Sequence, residues 1–193
     1  MDITLTYHQN PTWCFAPSRL KTNRQQVSVA IEQGRRLLQC EFAALYPHHQ
    51  DWLLSFSRVP GGYDWGFHVT HYFAQQGIAD VVYLERCDAQ VLLLVMEHYQ
   101  LLSEMQIAGD DLGDYLHFLG PEIARAPLVQ SGLSKTLSAF GDTVPALIDK
   151  EVVSSPALTR LIPPDSAWRF QPIHQLLQQP ESGRFCSGGE HKV

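Results

Sequence analysis

The strongest constraint on the fold is a run of three consecutive apolar-rich segments in the middle of the chain. The segments DVVYLER, QVLLLVMEH and YQLLSEMQI follow one another between residues 80 and 107, with CDA as the first break. Each has the length and composition of a β-strand, so together they predict a three-stranded meander with short turns. The run from Val91 to Met96 is wholly apolar, which predicts a central strand buried on both faces.

Helices are predicted on either side of this meander. The segment GFHVTHYFAQQG has apolar residues at approximate helical spacing and ends on Gly77, a residue type suited to the position after a helix. After the third strand, AGDD breaks the pattern, and Asp110 or Asp111 can cap the helix DLGDYLHFL. Gly120–Pro121 is expected to close that helix.

The first 60 residues predict strands and one ambiguous segment. ITLTY (Ile3–Tyr7) and DWLLSFSRV (Asp51–Val59) alternate apolar and polar residues and are expected to form strands. Between them, VSVAI is interpreted as a strand, EQG as a turn, and RRLLQCEFAALY as either a helix or a second strand. Gly34 weighs against one continuous helix, because glycine in a helix costs about 1 kcal/mol relative to alanine.

Beyond residue 120 the composition changes. SGLSKTLSAFGD predicts a short helix with Ser131 as its N-cap and Gly141 as its stop. Five of the chain's 12 prolines then follow between Pro145 and Pro172, which favours short elements packed along a surface. No internal repeat is found.

These patterns predict an α/β (α+β) fold in three parts. Residues 1–120 are expected to form a domain whose mixed sheet contains the three-stranded antiparallel meander flanked by helices. Residues 121–179 are expected to form an α-rich, proline-punctuated extension packed on that domain. Residues 180–193 have the small and polar composition of a flexible tail.

Charge and composition narrow the class of partner. The 193-residue chain has 14 Lys and Arg against 20 Asp and Glu, a formal net charge of −6, and its basic residues are scattered. It offers no basic stripe for a nucleic-acid backbone and better suits a partner with a basic surface. The N-terminus lacks the basic and apolar regions of a secretory signal, and Val91–Met96 is too short to cross a bilayer. We therefore expect no direct membrane insertion and a location in the cytoplasm or peripherally at the inner membrane.

The first candidate site combines two histidines and a carboxylate. His68 and His71 lie three residues apart in the predicted helix, and Asp64 precedes them. A helical metal pair usually has histidines at i and i+4 with a carboxylate between them, as in H-E-x-x-H, and that arrangement is missing. We therefore predict no catalytic, cofactor or metal site and interpret Asp64 as a helix cap, with His68, His71 and Asp64 kept as alternative metal ligands. Four widely spaced cysteines without a C-x-x-C pair likewise favour free thiols over a zinc site.

A second set of candidates suits a protein interface. Trp168 and Phe170 in SAWRFQPI lie on either side of an arginine in a proline-bounded segment, and aromatic residues beside arginine are common in binding hot spots. Asp142, Asp149 and Glu151 surround an apolar face in GDTVPALIDKE, a pattern that fits docking on a partner or on the chain's own domain. Packing of the two aromatic side chains inside the protein is the alternative.

The order of the central elements resembles a known family. It runs from the helix GFHVTHYFAQQG through DVVYLER, CDA, QVLLLVMEH, a third strand and AGDD to the helix LGDYLHFL. Over Trp65 to Leu119 this order resembles the cytoplasmic N-terminal domain of accessory inner-membrane proteins of type IVb pilus systems. That group is similar in fold to the cytoplasmic domain of the type II secretion assembly-platform protein that recruits the secretion ATPase. The resemblance implies an actin-like-derived docking domain without nucleotide hydrolysis, and the chain departs from the family in lacking the transmembrane segment that should follow.

These observations leave three hypotheses of function. The first is a non-catalytic cytoplasmic adaptor or scaffold for assembly of a bacterial envelope machine, a type IV pilus or secretion system. It would bind a secretion-type ATPase or a membrane platform protein through its sheet edge or its acidic C-terminal half. The second is a toxin-neutralising (immunity) or regulatory protein that binds a basic toxin. The third is a metal-dependent enzyme that uses His68, His71 and Asp64.

Overall fold

The computed structural model describes residues 12–48, 50–148, 150–161, 163 and 166–178. The predicted strand Ile3–Tyr7, the interface candidate Asp149 and the predicted tail 180–193 lie outside these residues. The described residues divide into two compact units. We refer to those between 12 and 16 and between 65 and 161 as the five-stranded unit, and to those between 17 and 64 and between 163 and 178 as the four-stranded unit.

In chain order, the described residues form strands, α-helices and short 3₁₀ helices. The strands are β1 (Trp13–Cys14), β2 (Ser18–Thr22), β3 (Phe42–His48), β4 (Asp51–Ser57), β5 (Tyr63–Asp64), β6 (Val81–Cys87), β7 (Gln90–Glu97), β8 (Gln100–Ala108), β9 (Leu128–Ser131), β10 (Val152–Ser154) and β11 (Gln171–Pro172). The α-helices are α1 (Val27–Leu38), α2 (Trp65–Gln75), α3 (Leu112–Phe118), α4 (Gly120–Arg125), α5 (Ser134–Phe140) and α6 (Ile173–Gln178). Short 3₁₀ helices lie at Arg24–Gln26, Gly109–Asp111, Pro145–Leu147, Leu158–Arg160 and Ser166–Trp168.

The meander predicted from residues 80–107 forms the core of the five-stranded sheet. The strand order is β10-β9-β6-β7-β8. Strands β6, β7 and β8 pair antiparallel, whereas β9 pairs parallel with both β6 and β10. Every residue from Val91 to Met96 is buried, as predicted for a strand covered on both faces. The α/β class and the mixed sheet with its meander are thus confirmed.

Apolar layers cover both faces of this sheet. Successive side chains of a strand point to opposite faces, so each strand contributes residues to both layers. On one face, α2 packs Trp65 and Phe73 against the strands. On the other face, α3, α4 and α5 supply Leu116, Ile123 and Leu137. The helices predicted directly before and after the meander are therefore present, one in each layer.

The predicted domain boundary at residue 120 does not coincide with the two units. Strand β9 lies beyond that boundary and pairs with β6, with Val82 opposite Leu128. Strand β10 then adds beside β9. Most of the predicted α-rich extension, as far as residue 161, thus belongs to the five-stranded unit, and residues 166–178 belong to the four-stranded unit. The segments LVQS and VVS are too short to show a periodic pattern, so the sequence did not reveal them as strands.

The ends of the short helices differ from prediction in three places. Asp111 occupies the N-cap position of α3 without a side-chain hydrogen bond to the helix. Ser131 ends β9, and Leu133 rather than Ser131 is the N-cap of α5. Gly120 begins α4. Gly141 is the C-cap of α5, as predicted. None of the described helices is long and apolar enough to span a membrane.

The four-stranded unit is an antiparallel sheet with two helices. Its strand order is β11-β3-β4-β2, and each neighbouring pair is antiparallel. Strand β4 confirms the strand predicted from Asp51 onward. The core packs α1 and α6 with the strands, through Val27, Ile31, Phe56 and Ile173 among others.

Helix α1 replaces the strand and turn predicted for VSVAI and EQG. Residues Val27–Leu38 form one helix with Gly34 in its interior. A Cβ atom built on Gly34 would lie 2.1 Å from Cζ of Phe56, so the aromatic ring occupies the space that a side chain would need. The strand prediction was wrong because tertiary packing of a ring on the helix backbone outweighs the local cost of a glycine.

We expect Gly34→Ala to destabilise the protein although alanine has the higher helix propensity. The new methyl group overlaps the Phe56 ring, and overpacking of this kind costs roughly 1–3 kcal/mol, against ~1 kcal/mol gained from helix propensity. With so close an approach we expect the upper part of that range. Urea denaturation followed by circular dichroism measures the free energy of unfolding.

Gly120→Ala is the matched control, because its Cβ would lie 3.9 Å from Ala146 Cβ, an ordinary contact. It is expected to cause no loss of stability. If Gly34→Ala were as stable as the wild-type protein, the steric explanation for this glycine would be wrong.

Candidate functional site

Helix α2 holds three buried polar atoms that have no hydrogen-bond partner among the described residues. They are Nε1 of Trp65 and both ring nitrogens of His68. Trp65 is 0% exposed and His68 is 5% exposed. Buried polar atoms are almost always paired, so such exceptions mark strain, ordered water or function. Both side chains lie in the first turn of α2. His68 was a candidate because of its spacing from His71, and its low exposure shows that it is a core residue.

Aromatic residues of the N-terminal segment cover these two side chains. Trp13 stacks on His68 with ring centroids 4.9 Å apart, and the ring of Phe15 lies 5.6 Å from that of Trp65. Nε1 of Trp13 donates a hydrogen bond to the carbonyl oxygen of Thr159 at 2.7 Å. This bond fixes the indole over the histidine.

His68 is electrically neutral in the folded protein at neutral pH. Burial lowers the pKa of His68 to about 4, and the nearby His71 adds to this effect. His71 is half-buried, and its ring stacks on Phe67 with centroids 5.8 Å apart. Burial lowers the pKa of His71 as well. A neutral imidazole can ligate a metal, but the two histidines need further ligands to form a site.

Asp64, interpreted from the sequence as a helix cap and kept as an alternative metal ligand, directly precedes α2 and is bound within the four-stranded unit. Nε of Arg19 donates to Oδ2 of Asp64 at 2.7 Å, and Nη2 of Arg19 pairs with the other carboxylate oxygen. The Ser55 hydroxyl also donates to Oδ2. The Asp64 side chain is 0% exposed, and a buried carboxylate needs such a cation and hydrogen bonds to offset its loss of hydration. The described residues contain no group of three or more His, Cys, Asp and Glu side chains that could hold a metal ion.

Strand β6 carries a buried carboxylate that sequence reasoning missed. Glu85 is 1% exposed. It accepts hydrogen bonds from the Tyr83 hydroxyl at 3.0 Å, from the backbone N–H of Thr159 at 3.1 Å and from the Thr159 hydroxyl. The Tyr83 oxygen accepts in turn from the N–H of Leu158 at 3.3 Å. We refer to Tyr83, Glu85, Leu158 and Thr159 as the β6 polar cluster.

The β6 polar cluster ties a distant segment of the chain to the sheet. Burial and the charge of Glu85 raise the pKa of Tyr83 above its ordinary value, so its hydroxyl remains a donor. Cys87 Sγ lies 4.0 Å from Oγ1 of Thr159, and burial together with Glu85 raises the pKa of this thiol. A raised thiol pKa keeps the cysteine a weak nucleophile. The hydrogen bonds within the cluster therefore fit a structural role better than a catalytic one.

A second buried polar residue, Gln130, lies on β9. Its Nε2 donates to Oγ of Ser154 at 3.1 Å, and its Oε1 accepts from the N–H of Leu133 at 2.8 Å. Strands β6, β9 and β10 are parallel, so their carboxyl ends lie side by side. The carboxyl ends of parallel strands are where α/β proteins often bind ligands. In this chain Gln130 uses that position to hold the turn after β9 and the end of β10.

The predicted interface residues fall into two groups, buried aromatic residues and exposed acidic residues. Trp168 and Phe170 are 9% and 3% exposed, and the Tyr46 hydroxyl donates to the Trp168 carbonyl oxygen at 3.0 Å. Both aromatic side chains are thus buried in the folded chain, which is the alternative that the sequence left open. Asp142 and Glu151 are exposed. An interface role for these residues stays a prediction.

Strand β8 is the long outer edge of the five-stranded sheet. It has nine residues and pairs with β7 on its inner side, and no other strand of the described residues pairs with it. The opposite edge, β10, has three residues. Leu102 in β8 is 57% exposed and Tyr99 just before it is 39% exposed, so apolar surface accompanies the edge. A sheet edge is one of the two surfaces that the adaptor hypothesis offers to a partner, the other being the acidic C-terminal half.

A signal for Glu85 was present in the sequence. Glu85 pairs with Leu92 of the central strand, so a correct register of the meander places a carboxylate within a strand beside a wholly apolar run. A charged residue in such a position needs buried partners. Thr159, which supplies them, lies 74 residues away, and no local pattern points to it.

No protein-family model and no curated protein matches the sequence. Two solved structures are similar in part. A protein of Bacteroides thetaiotaomicron VPI-5482 with an actin-like ATPase fold and unknown function is 12% identical at a TM-score of 0.45, over 75% of this chain and 68% of that one. The Ppx/GppA phosphatase of Aquifex aeolicus, in its type II variant, is 11% identical at a TM-score of 0.23, over 40% of this chain and 33% of that one. At these identities and TM-scores, neither structure supports an assignment of fold family or function.

We expect His68 to make the protein less stable as the pH falls from about 6.5 toward 4. The folded pKa of His68 is about 4 against an ordinary value of 6.5, so in this window the unfolded chain binds a proton that the folded protein does not. Stability therefore rises with pH across the window, and the whole shift corresponds to roughly 3 kcal/mol. His68→Phe keeps the stacked ring and should remove most of this slope, leaving the part due to His71.

Urea denaturation at about pH 7 and about pH 4.5 measures how the free energy of unfolding changes with pH. It is carried out on the wild-type protein and on His68→Phe, in a pH range where the pKa shift acts. Carboxylates contribute equally to wild type and variant, so the difference between the two proteins isolates the histidine. Equal slopes would show that His68 is not the cause.

We expect Thr159→Val to destabilise the five-stranded unit by roughly 1–3 kcal/mol. The substitution preserves the branched shape but removes a hydroxyl that donates to the buried Glu85 carboxylate, and hydrogen bonds to charged groups are worth about this much. Thr143→Val is the control. The hydroxyl of Thr143 is exposed and, among the described residues, donates only to the carbonyl of Phe140. Denaturation curves should separate the two variants, and equal losses would argue against the importance of the β6 polar cluster.

Proposed function

We propose that this chain is a non-catalytic docking protein that receives a partner strand along the outer edge of β8. The observation that carries the proposal is a nine-residue strand at the edge of a five-stranded sheet, paired with β7 on one side. An unpaired edge presents a row of backbone N–H and C=O groups to which an extended segment of another chain can hydrogen-bond.

The composition of β8 supports this use of its edge. Proteins usually protect an exposed edge strand with lysine, proline, a bulge or very short length. The strand sequence QLLSEMQIA contains neither lysine nor proline, and its one charged residue is Glu104. The carboxylate of Glu104 accepts a hydrogen bond from the N–H of Ala16 at 2.9 Å, so this charge is already engaged within the unit. A register irregularity opposite Val95 and Met96 lies at Leu102, in the first part of the strand, and the pairing from Ser103 to Ala108 is regular.

The partner that we propose is a component of a bacterial envelope machine, a type IV pilus or a secretion system. A secretion-type ATPase or a membrane platform protein fits the resemblance stated for Trp65 to Leu119, and α2, β6, β7, β8 and α3 follow the order of elements on which it rests. Such an adaptor acts in the cytoplasm or at the cytoplasmic face of the inner membrane. The chemistry of the described residues supports an adaptor more than an enzyme, because Asp64, Glu85 and Gln130 are engaged in internal bonds.

A second candidate, a toxin-neutralising or regulatory protein, is favoured by the charge of the chain. A formal net charge of −6 suits association with a small basic protein, whose encounter it would accelerate. Both candidates use a protein interface, so the identity of the captured partner separates them.

The test is a pull-down from a lysate of the source organism with two matched bait variants. Gln106→Lys places a charge on an exposed position of β8 and should reduce recovery of the partner by about tenfold or more, because lysine on an edge strand opposes strand addition. Gln33→Lys makes the same change at an exposed position of α1 and should leave recovery unchanged. Mass spectrometry identifies the protein whose recovery depends on β8.

The outcomes separate the candidates. Recovery of a secretion-type ATPase or platform protein, lost in Gln106→Lys alone, supports the adaptor. Recovery of one small basic protein with the same dependence supports the second candidate. Equal recovery by both variants would show that the partner does not dock on β8.

A further inference from the structure

A cavity of about 160 Å³ lies in the five-stranded unit at the end of the meander where β7 turns into β8. Its lining combines the start of β6, the end of β7, the beginning of β8 and helix α4. The residues that line it are Asp80, Val95, Met96, Glu97, His98, Leu102, Glu122, Arg125 and Ala126. Because Leu102 belongs to β8 and is exposed, the cavity is continuous with the edge on which we place the partner strand.

The size and walls of the cavity suit a single side chain. Ligand sites for cofactor-sized molecules usually have volumes of roughly 300–1,000 Å³, which is well above this one. The apolar part of the lining comes from Val95, Met96, Leu102 and Ala126. Such walls match the methylene stem of a lysine or arginine, which packs on apolar surface while its charged end stays at a polar rim.

The polar part of the lining carries an excess of negative charge. Nη2 of Arg125 lies 3.7 Å from Oε1 of Glu122, and its Nε donates to the carbonyl of Pro121, so this cation is balanced within α4. Asp80 accepts the backbone N–H of His98 at 2.8 Å through one oxygen and has no ion pair among the described residues. Glu97, which is half-buried at the end of β7, likewise has no ion pair among the described residues. Two carboxylates therefore face the cavity without a cation.

We propose that this cavity receives one lysine or arginine side chain of the strand that docks on β8. The inference rests on the proposed function and deepens it by naming the chemistry of the partner: an extended segment with a basic residue level with Leu102. In strand addition, backbone hydrogen bonds supply affinity while a pocket for an alternate side chain supplies specificity. Charge complementarity at the pocket selects among partners more than it adds affinity.

The first experiment tests the cavity without a partner protein. N-acetylarginine amide is titrated into the ¹⁵N-labelled full chain, with N-acetylglutamine amide as the neutral control, and backbone amide shifts are recorded. The arginine probe should shift the amides of Glu97, Leu102 and Ala126 in a saturable way, and the glutamine probe should not. The shifts should weaken as salt is added, because exposed charges are screened.

Two double variants identify the groups responsible. Asp80→Asn with Glu97→Gln removes both unpaired carboxylates while keeping the acceptor for His98, and should weaken the arginine probe roughly threefold to tenfold. Asp88→Asn with Asp110→Asn makes the same charge change at exposed positions at the other end of the meander and should have no effect. Equal shifts with both probes, or equal weakening by both double variants, would overturn the proposal.

The same double variants used as bait distinguish this inference from the proposed function. If Gln106→Lys abolishes recovery of the partner and the Asp80→Asn, Glu97→Gln bait recovers it at the wild-type level, β8 is the docking edge and the cavity proposal is wrong. If both baits lose the partner, with normal recovery by the Asp88→Asn, Asp110→Asn bait, both proposals are supported. If neither loses it, both fail.

Discussion

Strand β6 is the element on which the five-stranded unit depends. It pairs antiparallel with β7 on one side and parallel with β9 on the other, so it joins the meander to a strand from beyond residue 120. Its side chains enter both apolar layers, Leu84 on one face and Tyr83 on the other. A strand removed from water on both faces must satisfy its backbone groups through neighbouring strands. Pairing on both sides of β6 and β7 meets this demand at the centre of the sheet and leaves β8 as the long edge.

The protein meets the cost of burying titratable groups in three different ways. Asp64 is paired with the guanidinium of Arg19, so its charge is compensated by a cation. Glu85 receives three hydrogen bonds from Tyr83 and Thr159. His68 stays neutral, because burial lowers its pKa to about 4. In each case the group stabilises the fold or avoids charge, and a catalytic residue would instead need a free reactive atom in a cleft.

The docking proposal rests on an edge strand that has one partner strand among the described residues, and on buried carboxylates that are engaged in internal bonds. The polar residues of β6 and β9 hold distant segments in place through Thr159 and Ser154. The surface around β8, by contrast, offers backbone groups, the exposed Leu102 and a small cavity lined by two carboxylates that have no ion pair within the described part of the chain. An edge of this kind favours unwanted pairing as well as docking, so a partner that covers it would also protect the protein from association.

The amino-acid pattern by itself determined the meander, its buried central strand and the helices α2 and α3, because alternation and continuous apolar runs record burial along a single segment. It could not reveal α1, since Gly34 fits a helix only where the ring of Phe56 fills the missing side chain. Nor could it reveal β9 and β10, which are too short for a pattern; β9 exists as a strand through pairing with β6, and β10 through pairing with β9. Only the tertiary structure decided that Trp168 is buried, that Thr159 meets Glu85, and that Asp80 and Glu97 share a cavity. Each of these depends on which distant segments pack together, and local periodicity carries no information about that choice.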